Sequence, residues 1–188
     1  MRKMIWILAV LLLSVVACGG EEEDPNRPLT TEDFATVCAG QAQPRAAAYT
    51  PETAPNQIML LSDSTIGDQY DYYNIRFTSE LPEEWFPQIV DGTFDFNPAE
   101  LVTCIHRTAT ELADTCEYED NYILEVFNST YEVTVYAAQT GENLVRETVE
   151  ASGECPSMFM FDEGITEDVY YADISEKQIG AIIERFAP

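Results

Sequence analysis

The chain contains one histidine, His106, so any Ser-His-Asp or Cys-His arrangement has to use it. It ends a strand-like run, Leu101-Val102-Thr103-Cys104-Ile105-His106-Arg107, whose parity places it on one face with Val102 and Cys104. No G-x-S-x-G elbow accompanies it. The residue therefore reads as a partly buried strand histidine, and no catalytic residue is assigned. Carboxylates are the other chemistry available. With 34 Asp and Glu in the chain, a glycosidase-like pair can be drawn almost anywhere, and that abundance makes any one pair uninformative. The loop Asp91-Gly92-Thr93-Phe94-Asp95-Phe96-Asn97, with Glu100 nearby, has the oxygen-rich character that calcium favours. It lacks EF-hand spacing, and turn chemistry alone explains its Asp, Gly and Asn. Zinc fares worse, because the cysteines lack short paired spacing and His106 is the only nitrogen ligand. No metal or cofactor-binding residue is assigned. Asn128-Ser129-Thr130 has the form of a glycosylation acceptor but reads as a turn.

Among 188 residues, 9 are Lys or Arg, and the formal net charge is −25. A nucleic-acid site needs several clustered cations, and these are scattered singly. The same balance opposes docking on anionic lipid. A hydrophobic fraction of 46% with 11% aromatic residues is too rich in core formers for a disordered acidic chain, and the length suits one domain.

Residues 1–17 read as a secretory signal peptide: Arg2 and Lys3, an unbroken apolar run from Met4 to Leu13, then small residues at Ser14 and Ala17. Its end, Val15-Val16-Ala17-Cys18, resembles the lipobox of bacterial lipoproteins. The resemblance implies that Cys18 becomes the lipidated first residue of the mature chain and that its acyl chains hold the protein to a membrane outside the cytoplasm. Residues 18–30 then form an acidic tether. Glycine, proline and the Glu21–Asp24 run leave no apolar periodicity, and the eleven residues from Cys18 to Pro28 reach roughly 35 Å when extended. Gly19 rather than Asp follows the lipobox cysteine; in the family this favours the outer membrane or cell surface over inner-membrane retention.

Setting Cys18 aside leaves Cys38, Cys104, Cys116 and Cys155, an even number for an oxidising compartment, where pairing is the default. Four cysteines allow three pairings. If Leu101–Arg107 and Ala113–Tyr118 form a hairpin turning at Thr108–Glu111, Cys104 opposes Cys116 within disulfide reach, and Cys38 remains for Cys155. From Leu101 onward the order LVTC, CEY, AAQTGE and CP is similar to a group of uncharacterised bacterial extracytoplasmic proteins. That resemblance implies no activity and supports the same hairpin.

The positions that would hold these cysteines read mostly as strands. Gln57–Leu61 suits a buried strand, Tyr73, Ile75 and Phe77 alternate with polar residues, and Tyr131, Val133, Val135 and Ala137 share one face of a longer strand. Thr140-Gly141-Glu142-Asn143 provides a hairpin turn, with Leu144–Glu150 returning. Pro82 and Pro87 bracket Trp85 and Phe86 in a short helical turn or covering loop. Thr30 or Thr31 caps a helix through Phe34, Val37 and Cys38, which Ala46–Ala48 continues after Pro44. From Ser175, Ile179, Ile182, Ile183 and Phe186 have helical spacing. The expectation is a single α+β domain over 31–188, mainly antiparallel sheet with a C-terminal helix packed on it and disulfide-braced; a β-sandwich is the alternative.

Function is read as a membrane-tethered envelope lipoprotein with a non-enzymatic binding or structural ectodomain. Its partners would be the membrane through Cys18 and an envelope protein, a glycan or calcium, with no nucleic acid. A tethered carboxylate-dependent hydrolase is the alternative. An exposed patch of Tyr70, Tyr72 and Tyr73 would favour binding; a cleft holding two carboxyl groups, one with a raised pKa, would favour hydrolysis.

Overall fold

A computed structural model describes Asp24 and residues 26–52, 56–63 and 73–186. The expected signal peptide, Cys18, most of the expected tether, Tyr70 and Tyr72 lie outside the described residues, as does the side chain of Tyr73. In chain order the elements are α1 (Thr31–Cys38), β1 (Gln57–Asp63), β2 (Tyr73–Ile75), β3 (Ile89–Val90), β4 (Thr93–Phe94), β5 (Ala99–Glu117), β6 (Ile123–Ala137), β7 (Glu142–Ala151), β8 (Glu167–Tyr171) and α2 (Glu176–Ile183).

Both helices begin where local chemistry places them. At α1 the Thr30 backbone N–H donates to Asp33 Oδ2 at 2.7 Å, and both carboxylate oxygens of Asp33 accept from the Arg27 guanidinium at 2.7 Å. The Arg27 hydrogen bonds hold the Asp33 carboxyl below its ordinary range, against the opposing pull of burial. At α2, Ser175 and Gln178 exchange hydrogen bonds as a capping box. Ala46–Ala48 does not extend α1; Gly40 at φ +78° ends that helix, and the chain continues irregularly.

The sheet runs β2-β1-β5-β6-β7, with β8 also on β6. Its spine is the antiparallel pair β5–β6, in register from Leu101↔Ala137 to Glu117↔Ile123. Near the first end of β5, β1 lies parallel to it, from Ile58↔Leu101 to Ser62↔Ile105. At the same end β7 pairs with β6, through a turn in which Gly141 has φ +70° and a Cβ would meet Ala42 N at 3.0 Å. Toward the other end only β8 is added, parallel to β6 from Ile123↔Glu167 to Phe127↔Tyr171. The sheet is therefore mixed, with antiparallel pairing along its spine.

Each face of the wide end is covered. Ile58, Leu60, Leu101, Ile105, Val133 and Val135 pack under Ile179, Ile182 and Ile183 of α2. On the opposite face, Met59, Leu61, Val102 and Cys104 pack under Phe34 and Val37 of α1. A strand buried on both faces reads as a continuous apolar run, which is why Leu101–Ile105 shows little alternation. The fold is sheet-dominated α+β with the C-terminal helix packed on the sheet. It is not a sandwich, because helices rather than a second large sheet cover the faces.

The expected hairpin between Cys104 and Cys116 does not form. Residues 99–117 are one strand of 19 residues, about 60 Å long at strand rise. Thr108–Leu112 contains no Gly, Pro or Asn to turn the chain, and its polar side chains face solvent while the strand continues through two bulges. Twelve residues of strand, about 40 Å, separate Cys104 from Cys116, far beyond disulfide reach. The four cysteines instead pair as Cys38–Cys104, with Cα atoms 5.6 Å apart, and Cys116–Cys155, with Cα atoms 5.7 Å apart. The first joins α1 to the centre of the sheet; the second joins the narrow end of the β5–β6 pair to the segment after β7.

Digestion without reduction, followed by mass spectrometry, will therefore yield fragments joining Cys38 to Cys104 and Cys116 to Cys155. Replacing Cys38 and Cys104 together by Ser will lower unfolding stability by about 2–4 kcal/mol. A fragment joining Cys104 to Cys116 is incompatible with the strand register.

Candidate binding cleft

One cleft lies where β2 leaves the sheet. The Arg76 backbone N–H still donates to Leu60 O at 2.9 Å, and the Arg76 guanidinium grips both oxygens of Asp173, at 3.0 and 2.9 Å. Immediately beyond, Glu176 Oε2 accepts from Thr78 Oγ1, Ser79 N and Ser79 Oγ at 2.9–3.0 Å. The Ser79 hydrogen bonds, with that from Thr78, hold the Glu176 carboxyl below its ordinary range. Residues 76–79 are thus fastened to the start of α2. Thr78 faces inward, so strand parity turns Phe77 outward, where it is 52% exposed.

The opposite wall is equally fixed. After Pro82, a 3-10 turn over Glu83–Trp85 returns Phe86 to the α2-side core. Gln88 Nε2 clamps that turn by donating to the carbonyls of Glu83 and Phe86, at 2.9 and 2.8 Å. Strands β3 and β4 follow as a tight ribbon whose corner residues, Asp91 and Gly92, have φ of +52° and +82°, the backbone of a two-residue primed turn. Ile89 and Phe94 project from it, 65% and 37% exposed.

The rings connect these walls to both cores. Phe77 meets Phe86 edge-on at 5.9 Å and stacks on Phe94 at 5.6 Å; Phe94 stacks on Phe96 at 5.8 Å, and Phe96 meets Phe34 at 6.4 Å. Phe86 belongs to the core under α2 and Phe34 to the core under α1. The cleft encloses about 670 Å³, and Glu83 is its only charged lining residue. It can receive bulky apolar groups without reorganising its walls.

A second cleft, of about 540 Å³, lies on the α1 face beside the Cys38–Cys104 disulfide. His106 occupies it, its Nδ1 hydrogen-bonded to Oδ2 of Asp63, a carboxylate whose side chain is only 3% exposed. The Arg107 backbone N–H adds a longer bond to Asp63 Oδ1 at 3.4 Å. Glu132 faces His106 across the β5–β6 pair and lies 3.6 Å from Arg146 of β7. Strand parity alone places His106 on the face of Cys104; Asp63 carries no local signal, since only the parallel β1–β5 pairing brings it near. The cleft holds a histidine–carboxylate pair and no thiol, both neighbouring cysteines being in the disulfide.

The candidate calcium loop is divided among other tasks. Asp91 forms the ribbon corner, and Asp95 Oδ1 accepts from Asn97 N and Nδ2 at 3.1 and 2.8 Å. Glu100 points elsewhere. Burial pushes its carboxyl above the ordinary range, with a hydrogen bond from the Thr50 backbone opposing the shift, and its Oε2 has no hydrogen-bond partner. It lines neither cleft. Among the described residues no group of three or more His, Cys, Asp or Glu converges on a metal-sized space, and no helix is long and apolar enough to cross a membrane.

Set against known proteins, the chain matches no family model, no curated protein and no solved structure.

Two stability changes test these environments. His106→Ala strips the buried Asp63 of its imidazole partner and will cost about 1–3 kcal/mol in urea unfolding; adding Asp63→Ala will recover part of that loss, as coupled partners do. Glu100→Gln will stabilise the protein at neutral pH. A carboxyl whose folded pKa is raised opposes folding once pH rises through that pKa, and it carries no such cost below the unfolded value. The melting-temperature gain should therefore be present at pH 7 and disappear near pH 3.

Proposed function

We propose that the protein is a lipoprotein of the bacterial cell envelope, tethered through acyl chains on Cys18 and the acidic segment after it, whose ectodomain is a non-enzymatic binding module. The reading of the leader supports the tether. The observation that carries the binding role is the Phe77–Phe94 stack. Two large aromatic side chains remain substantially exposed on walls that ion pairs, a clamped turn and two cores hold in place. Exposed apolar surface of this kind, fixed rather than collapsed, is what a partner's anchor residue needs. With a net charge of −25 over the whole chain, the protein would be repelled by anionic headgroups, and the tether would hold the ectodomain clear of them. The outer membrane or cell surface is the location this reading favours.

Intact-mass analysis of protein from native membranes tests the anchor: the chain should begin at Cys18, lack residues 1–17 and carry acyl mass. Binding is tested by quantitative capture from solubilised envelopes with the wild type and with Phe77→Ala/Phe94→Ala. Retention of the specific partner should fall at least about tenfold, as truncating anchor aromatics does, while the melting curve stays cooperative. Equal retention by both proteins would falsify the assignment of the cleft.

A further inference from the structure

We infer that the aromatic cleft receives a cationic peptide segment, one bulky apolar side chain flanked by Lys or Arg. The inference rests on the reading of the cleft as a binding site and adds the chemistry of its partner. Three observations lead to it.

The first is charge. Residues 77–98, which build nearly the whole cleft, contain Glu80, Glu83, Glu84, Asp91 and Asp95 and no Lys or Arg. The preceding cation, Arg76, is engaged with both oxygens of Asp173. Any group entering the cleft does so in a field of carboxylates on a chain of net charge −25, which steers cations inward and turns anionic headgroups and phosphates away.

The second is the deployment of the polar groups. A glycan site sets hydrogen-bonding side chains around an aromatic platform to meet sugar hydroxyls. Here those side chains are already used: the hydroxyls of Thr78 and Ser79 bond Glu176, and the Gln88 amide bonds the carbonyls of Glu83 and Phe86. What remains for a ligand is apolar wall, negative charge and acceptor oxygens such as Gln88 Oε1, a lining that suits a cation and offers a sugar few donors.

The third is exposed backbone. Among the described residues β3 pairs with β4 alone, and Ile89 of β3 lines the cleft. Extended backbone therefore borders the cleft on the β3 side, where a peptide main chain can hydrogen-bond while its anchor fills the aromatic space.

The test uses the mature lipidated protein in phosphatidylcholine vesicles, which are neutral and so do not themselves gather cationic peptides. Of the two tryptophans, Trp6 is in the leader, so Trp85, in the turn beside Phe86, becomes the sole reporter. Three acetylated, amidated peptides share a Leu-Phe-Leu anchor flanked by Lys-Lys, Gln-Gln or Glu-Glu on each side. The Lys peptide should bind at least about tenfold more tightly than the Gln peptide at low salt, with the Glu peptide weakest. That preference should shrink as NaCl rises from 50 to 500 mM. Phe77→Ala/Phe94→Ala should abolish binding of all three, whereas Glu83→Gln/Glu84→Gln/Asp91→Asn should remove the Lys preference and spare binding of the Gln peptide. Equal affinity for Lys and Gln peptides overturns the charge inference and leaves the cleft reading intact. Binding unaffected by loss of the two phenylalanines, or no binding by any peptide, overturns the cleft reading itself. A stronger Trp85 response to neutral oligosaccharides than to the Lys peptide assigns the cleft to glycans and overturns the inference.

Discussion

The register between β5 and β6 is the constraint on which the remaining architecture depends. Side chains alternate along both strands, so a slip of one residue would move Leu101 and Ile105 of β5, or Val133 and Val135 of β6, from beneath α2 to the face of α1. Such a slip would also carry Cys104 away from Cys38. At the wide end the register is enforced by burial on both faces. At the narrow end the fully buried cluster is small, Cys116, Leu124 and Val126, and the Cys116–Cys155 bond, the rings of Tyr118, Phe159 and Phe161 packed against that cluster, and the parallel strand β8 take over. Two bulges let one strand serve both ends, each absorbing a residue that would otherwise rotate the rest of β5 off its face.

The cleft is built by the same means. Its exposed rings do not collapse into the core because the backbone beneath them is tied at both ends: to α2 through Asp173 and Glu176, and to the 3-10 turn through Gln88. The pairs are individually modest, since Asp173 and Glu176 are solvent-exposed. Their effect is geometric. They settle which face of residues 76–79 meets the core, and strand parity then decides that Phe77 faces water.

Net charge shapes the molecule in a second way. Carboxylates in this excess repel one another in the folded state and favour expansion. Cross-links spanning 66 and 39 residues restrict that expansion most strongly in the unfolded chain. The few cations are placed where they accomplish most: Arg27 on the α1 cap, Arg76 on Asp173, and Arg185 on Glu147 at 2.7 Å, joining the end of α2 to β7.

What the amino-acid sequence determines by itself is whatever depends on neighbours a few positions apart. Ser175 and Gln178 start α2, Thr30 and Asp33 start α1, Gly141 turns the hairpin into β7, and the alternation from Tyr131 to Ala137 marks a two-faced strand; each is a contact spanning three or four residues or a strict period. The tertiary structure alone decides the rest. Thr108–Glu111 is polar enough to suggest a turn, and only the pairing of β6 along its whole length keeps it extended. Asp63 reaches His106 from 43 residues away, and Phe34 joins a stack begun at Phe86, because parallel pairing of β1 with β5 and the covering of both faces by helices bring them there. Cysteine pairing belongs to the same class: partner choice follows from which strands lie under which helix, a property of the completed sheet that local spacing does not carry.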